Sequence, residues 1–361
     1  MTRSEALTRL LQETGFAEAE RRPLAGDASS RRYQRLVLPG RTAVLMDAPP
    51  LAESAPCPRG ASPAERRALG WNAAARLAAS RVEAFAAVAG HLQAMGLAAP
   101  TIHGADFEAG YAVLEDLGDG LYARVIAAGA DEIALYRAAA LVLAHVHAAL
   151  APAQLRGPGG ASWPLLEYDA LALEVNADLF VDWLPRAARD VRIDDAARTR
   201  WEHVRDALIV KALGFPRAFT IRDYHAENLL WLPEREGLGR VGLLDFQDAV
   251  RGWRAWDFTM LLQDARRDVS RAAGEAAIRA YLSASGAGEA DFRREFAVLG
   301  ALNAMRILGR FAQLSHDGKT KYAAFMPREW GHLSANLKHP ALAEARAFVT
   351  EVAGPYLGEA A

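Results

Sequence analysis

Three oxygen-bearing side chains stand out by type and spacing. Asp223 follows the β-prone piece Phe219-Thr-Ile221, Asn228 lies five residues later, and Asp245 ends the apolar run Val241-Gly-Leu-Leu244, seventeen residues after Asn228. A carboxylate, an amide and a second carboxylate around a short hairpin suit phosphoryl transfer. A hard divalent cation such as Mg²⁺ prefers oxygen ligands and keeps part of its water shell, so one carboxylate and one amide suffice from the protein. A further carboxylate can orient the attacking hydroxyl and accept its proton. The competing reading of Asp223 is a turn or cap carboxylate, but it leaves Asp245 unexplained.

The elements that would position this set are legible in outline. Leu7, Leu10 and Leu11 share one face of a first helix, which Ser4 is placed to cap, and Gly15 follows its end. Gln34–Leu38 and Thr42–Met46 flank Pro39-Gly40 and predict a hairpin. Val82, Phe85, Val88, Leu92 and Met95 follow helical spacing up to Gly96. Pro100-Thr-Ile102 and Tyr111–Glu115 read as strands. The turn-rich Asp116-Leu-Gly-Asp-Gly120 divides the chain, giving an N-terminal part over 1–117 and a C-terminal part over 118–361. Helical patterns dominate after about 121, strongest over Ile133–Leu150 and Tyr168–Leu184, with strand-like pieces at Phe219, Leu229–Leu232 and Val241–Leu244. The segment from about 51 to 80, rich in proline at its start, reads as an insertion of unassigned role.

Arg222-Asp223-Tyr-His225-Ala-Glu-Asn228, with Leu244-Asp245-Phe-Gln-Asp248 after it, resembles the small-molecule kinase branch of the protein-kinase-like superfamily, which includes aminoglycoside phosphotransferases and choline kinases. Gly26–Tyr33, Met46–Pro50, Glu115–Asp119, Trp256-Asp257-Phe258 and Leu262–Arg267 narrow the resemblance to bacterial kinases that phosphorylate the anomeric hydroxyl of N-acetylmuramate and N-acetylglucosamine. The resemblance covers roughly residues 1 to 340. It implies an α+β, two-lobed protein-kinase-like fold with a small β-rich N-lobe and a larger helical C-lobe. It implies ATP and Mg²⁺, with Asp223 as catalytic base and Asn228 and Asp245 on the metal. The loop with Gly26, Ser29 and Ser30 would cover the phosphates with Arg32 beside it, and the backbone of Glu115 to Leu117 would meet the adenine. Asp257 would brace the catalytic loop, and Glu174 and Arg266 are candidates for gripping the acceptor. The implied role is recycling of cell-wall sugars. Another small hydroxyl substrate, of aminoglycoside or choline type, and a nucleotide-binding pseudokinase are the alternatives.

The sequence departs from the family at two functional positions. Ile221 stands where the catalytic loop would carry a histidine. Met46 stands where a strand lysine would meet the α- and β-phosphates, and residues 1 to 210 contain no lysine at all. Arg31 or Arg32 is placed to supply the charge instead, and Glu83, the lysine's expected partner, then reads equally as a solvated helix acid. His225 reads as a loop-bracing ring rather than an acid or ligand. Asp248 reads as either a supporting or a solvated carboxylate. Trp163, Phe180, Trp183, Trp253 and Trp256 read as core before sugar platforms, and Asp178 as a helix acid near Glu174.

Composition excludes several classes. In 361 residues, Lys+Arg number 42 and Asp+Glu 44, a net charge of −2 that argues against a dedicated nucleic-acid binder or a polybasic membrane-surface protein. Hydrophobic content of 52% with 24% charged residues excludes wholesale disorder. One cysteine, Cys57, excludes an intramolecular disulfide and a cysteine-cluster metal site. No leader core or membrane-length apolar run is visible, so a cytoplasmic protein acting on a small sugar is expected.

Overall fold

The computed structural model describes residues 2–24, 31–50, 56–77, 81–188 and 190–358. An antiparallel sheet forms from β1 (Glu20–Leu24), β2 (Arg32–Leu38), β3 (Arg41–Asp47), β4 (Ile102–Asp106) and β5 (Tyr111–Glu115), in the order β1-β2-β3-β5-β4. Gly40 turns the β2–β3 hairpin at φ +78°, a left-handed conformation that costs glycine little. Strand alternation sorts the side chains onto two faces. Leu36, Ala43, Leu45 and Val113 pack with the helix α1 (Arg3–Glu13), whereas Met46, Ala112 and Leu114 join the main core. Thr2, not Ser4, caps α1, because Glu5 returns a hydrogen bond to the Thr2 backbone and closes a capping box. β1 was not expected: its residues, Glu-Arg-Arg-Pro-Leu, are almost all exposed on a sheet edge, so no apolar alternation announces it.

The insertion contributes α2 (Pro63–Leu69) and a π-helical turn at Asn72–Arg76, and α3 (Val82–Ala94) follows. β5 ends at Glu115, and after it come α4 (Tyr122–Ala127) and α5 (Glu132–Ala148). Next come the short strands β6 (Gln154–Arg156) and β7 (Ser162–Pro164), then α6 (Ala170–Ala187) and α7 (Asp195–Leu213). Four short strands follow, β8 (Arg217–Thr220), β9 (Leu229–Trp231), β10 (Val241–Leu243) and β11 (Val250–Trp253), pairing antiparallel as β8 with β11 and β9 with β10. Helices α8 (Arg254–Leu262), α9 (Arg271–Ser285), α10 (Glu289–His316), α11 (Met326–Leu337) and α12 (Ala343–Gly358) complete the chain. α10 crosses α6 so closely that a Cβ at Gly309 would lie 2.2 Å from the Leu179 carbonyl carbon. The fold is the two-lobed α+β architecture the sequence implied.

The insertion lies against the helical lobe. Arg66 is buried, pairs with Asp169 at the start of α6 and donates to the carbonyls of Ala73 and Ala74, both at 3.0 Å. Asn176 of α6 donates back to the Ala75 carbonyl at 3.3 Å.

Candidate active site

The three residues singled out by spacing converge. Asp223 follows β8, Asn228 precedes β9 and Asp245 follows β10. Pairing of β9 with β10 draws the last two together, and the Leu244 N–H donates to the Asn228 carbonyl at 2.9 Å. Asn228 in turn donates its side-chain amide to the Asp223 carbonyl at 2.9 Å and its backbone N–H to the His225 carbonyl at 2.8 Å.

Two site residues sit in left-handed backbone that side chains rarely adopt, Arg222 at φ +82° and Asp245 at φ +55°. Surrounding contacts hold both. The backbone N–H groups of Ile221 and Arg222 donate to the Asp257 carboxylate at 2.9 and 2.7 Å. The Arg222 guanidinium donates to the carbonyls of Ala75 and Arg76 in the insertion and lies 4.9 Å from the Tyr168 ring centroid. Asp257 is fully buried and meets Nε2 of His147 from α5 at 3.2 Å, while His147 Nδ1 meets the Tyr281 hydroxyl at 3.1 Å. A loop with Ile221 in the histidine position is therefore fixed by a buried carboxylate with a histidine from another helix behind it.

The two carboxylates are tuned apart. Burial, with the nearby Asp245 charge, raises the Asp223 pKa above the ordinary aspartate value, and Arg222 only partly opposes it. Burial would raise Asp245 too, but the Arg31 guanidinium, with a 3.0 Å hydrogen bond from Gln247 Nε2, holds it below the ordinary value. One group is thus the readier proton acceptor and the other stays ionised. Asp248 is buried and accepts from Arg76 Nε at 2.6 Å, so it is not a solvated carboxylate.

The remaining candidates fall into place unevenly. Met46 is fully buried in β3, paired across the sheet with Tyr33 and Ala112. Arg31 is the arginine that reaches Asp245, while Arg32 opens β2 with an exposed side chain. Gly26, Ser29 and Ser30 lie outside the described residues. Glu83 pairs with Arg81. Glu115 accepts from Thr101 and Arg235, and Leu117 packs at the hinge beside buried Ala98, Leu230 and Leu232. Arg266 Nη1 lies 3.5 Å from His225 Nε2, beside the catalytic loop. Glu174 is bound to Arg67 of α2 at 2.7 Å, and Asp178 accepts from Trp201 and Arg205 of α7. The His225 ring meets the side chains of Asn228 and Arg266 rather than loop backbone. Phe180, Trp253 and Trp256 are core. Sequence reasoning missed His147 and Arg306. The latter, with Asn303 three residues before it, interrupts an otherwise apolar run of α10, a signal that was available.

The donor set fits a hard cation. Asn228 spends its N–H groups on Asp223 and His225, leaving its carbonyl oxygen toward a ligand, and Asp245 is kept ionised. Among the described residues no cluster of three or more His, Cys, Asp or Glu could hold a metal by itself. Two oxygen ligands completed by phosphate and water match Mg²⁺.

Comparison with known proteins places the chain. Residues 20–297 match the phosphotransferase enzyme family. The chain is 52% identical over 350 residues to the N-acetylmuramate/N-acetylglucosamine kinase of Caulobacter vibrioides, covering 96% of this chain and 95% of that protein. It is 32% identical over 351 residues to the protein of the same name from Pseudomonas aeruginosa, covering 94% and 91%. Among solved structures, a choline/ethanolamine kinase family protein from Mesorhizobium loti superposes with a TM-score of 0.55 at 17% identity, covering 97% of this chain and 100% of that one.

Proposed function

The chain belongs to the phosphotransferase enzyme family, and from that premise we propose that it is an ATP-dependent kinase of N-acetylated amino sugars, moving the γ-phosphate to the anomeric hydroxyl of N-acetylmuramate and N-acetylglucosamine. The carrying observation is 52% identity across nearly the whole chain to a kinase named for those two sugars. The convergence of Asp223, Asn228 and Asp245 supports it.

Asp223 orients the acceptor hydroxyl and takes its proton as the phosphate arrives. Asn228 and Asp245 would hold Mg²⁺, which when bound would neutralise charge on the phosphate oxygens. Arg31 keeps Asp245 ionised and supplies cationic charge that the buried Met46 cannot. The backbone of Glu115 to Leu117, with the apolar patch of Ala98, Leu230 and Leu232 beneath it, receives the adenine. Catalysis on this reading is mostly positioning and charge neutralisation. Arg222, Arg266 and Arg306 around the catalytic loop argue against a polycationic acceptor, which needs an acidic site. No helix of the described residues is long and apolar enough to cross a membrane, and the use of ATP fits the cytoplasm.

An ADP-release assay over N-acetylmuramate, N-acetylglucosamine, plain hexoses, choline and an aminoglycoside tests this. Turnover confined to the two N-acetylated sugars is expected. Turnover only with choline or the aminoglycoside, or none at all, overturns it.

A further inference from the structure

Helix α10 is apolar and buried along most of its length from Phe292 to Leu314, yet it carries Asn303 and Arg306 toward the catalytic loop. Arg306 donates through Nε and Nη2 to the Asn303 side-chain oxygen at 3.1 and 2.7 Å. Its guanidinium lies 5.7 Å from the Trp256 ring centroid, with Met260 Sδ at 3.9 Å. These contacts are neutral. Arg31, Arg66 and Arg254 each meet a carboxylate, on Asp245, Asp169 and Glu295. Arg306 forms no ion pair among the described residues, although it feels the charge of Asp223.

A guanidinium enclosed without an anion is costly. Burial accordingly lowers the Arg306 pKa. Two carboxyl groups act on it, Asp223 and Glu329 of α11; Glu329 is buried, and burial raises its pKa well above the ordinary value. Glu329 Oε1 has no hydrogen-bond partner among the described residues, and neither does Oδ2 of buried Asp264 beside Arg266. Beside the proton-accepting aspartate there is therefore an oriented cation and two polar atoms whose partners the protein does not supply.

We propose that Arg306, clamped by Asn303, is the specificity residue of the acceptor site and binds a carboxylate carried on the sugar ring whose hydroxyl faces Asp223. This deepens the kinase reading and rests on it. Of its two acceptors, N-acetylmuramate carries a lactyl carboxylate and N-acetylglucosamine carries none. Nε and Nη2 are engaged by Asn303, with Nη2 also on Met260 Sδ, so Nη1 is the nitrogen left to meet a carboxylate, from a planar guanidinium held in an orientation that lysine does not reproduce. The neutral sugar would bind the same place without that grip.

Steady-state kinetics with both sugars test the assignment in wild type, Arg306→Gln and Arg306→Lys. The ratio of kcat/KM for N-acetylmuramate to that for N-acetylglucosamine is expected to fall at least tenfold in Arg306→Gln, chiefly through KM of the acid sugar, and to recover only in part in Arg306→Lys. Equal losses for both sugars, or an unchanged ratio, overturn the proposal. Wild-type protein assayed with the methyl ester of N-acetylmuramate gives a second readout that needs no variant to fold. A loss of at least tenfold relative to the free acid is expected, and equal turnover of ester and acid contradicts the carboxylate grip. Failure of wild type to phosphorylate either sugar would instead remove the kinase reading, so the two failures are distinguishable.

Discussion

Asp257 braces the loop that leads into Asp223, and its removal has a cost that can be worked out. Its carboxylate accepts the Ile221 and Arg222 N–H groups at 2.9 and 2.7 Å in a fully buried position, with His147 at 3.2 Å behind it. In Asp257→Ala both N–H groups lose their acceptor. Each stranded buried donor costs about 1–3 kcal/mol, so the pair costs about 2–6 kcal/mol. At roughly 2–4 °C per kcal/mol for a lobe of this size, the melting temperature falls by roughly 4–24 °C. The loss reaches activity as well, because the left-handed Arg222 is free to relax and carries Asp223 with it; a displacement on the order of 1 Å costs about 100-fold in kcat. Asp257→Asn keeps one acceptor oxygen and turns its NH₂ toward one of the two donors, so it should fall between. Urea unfolding and ADP-release kinetics on the three proteins measure both effects. An alanine variant within about 1 kcal/mol of wild type, turning over at the normal rate, would refute the reasoning.

Asp223→Asn separates chemistry from scaffold: kcat should drop by about 10²–10⁴ while the melting temperature at neutral pH holds or rises, because a buried charge repelled by Asp245 is gone. Near-native turnover in that variant contradicts its role as base. Protonated Asp223 cannot accept a proton, so kcat/KM of wild type should fall as pH falls through a limb lying above the ordinary aspartate value; a limb at or below that value contradicts the environment described. The folded chain also holds this proton to higher pH than the unfolded chain, so stability contributed by the group falls as pH rises through the same interval, and the Asn variant should lose that dependence. Arg31→Ala removes the cation beside Asp245 and should raise KM for ATP about 10–150-fold, the worth of a charge-assisted bond of about 1.5–3 kcal/mol, whereas Arg32→Ala, altering an exposed side chain, should change it far less. An unchanged KM in Arg31→Ala would remove Arg31 as the substitute for a strand lysine.

What the sequence revealed and what it hid follow from the range of the forces involved. The Pro39-Gly40 hairpin, α3 and the catalytic hairpin were legible because local turn chemistry and apolar periodicity specify them. Asp223, Asn228 and Asp245 were legible because one short hairpin fixes their spacing and their separation. β1 was not, being polar and exposed on an edge. The attachment of the insertion to α6 was hidden because it depends on pairs such as Arg66 with Asp169 and Arg67 with Glu174, which lie more than a hundred residues apart. Those pairs also explain why Glu174, an acid on the expected helix, is tied to α2 instead of standing free for a sugar. The brace on the loop was hidden in the same way, since His147 and Asp257 meet only when α5 packs beside α8. Asp248 could be read as solvated or supporting until Arg76 of the insertion was seen to reach it.

The most direct test of the account is the position of the transferred phosphate. Purified protein incubated with ATP, Mg²⁺ and N-acetylmuramate should yield ADP and one new phosphomonoester whose ³¹P resonance couples to the anomeric proton, and the Asp223→Asn protein should yield none under the same conditions. A phosphate attached at any other carbon, or the same product formed equally fast without the Asp223 carboxylate, would contradict it.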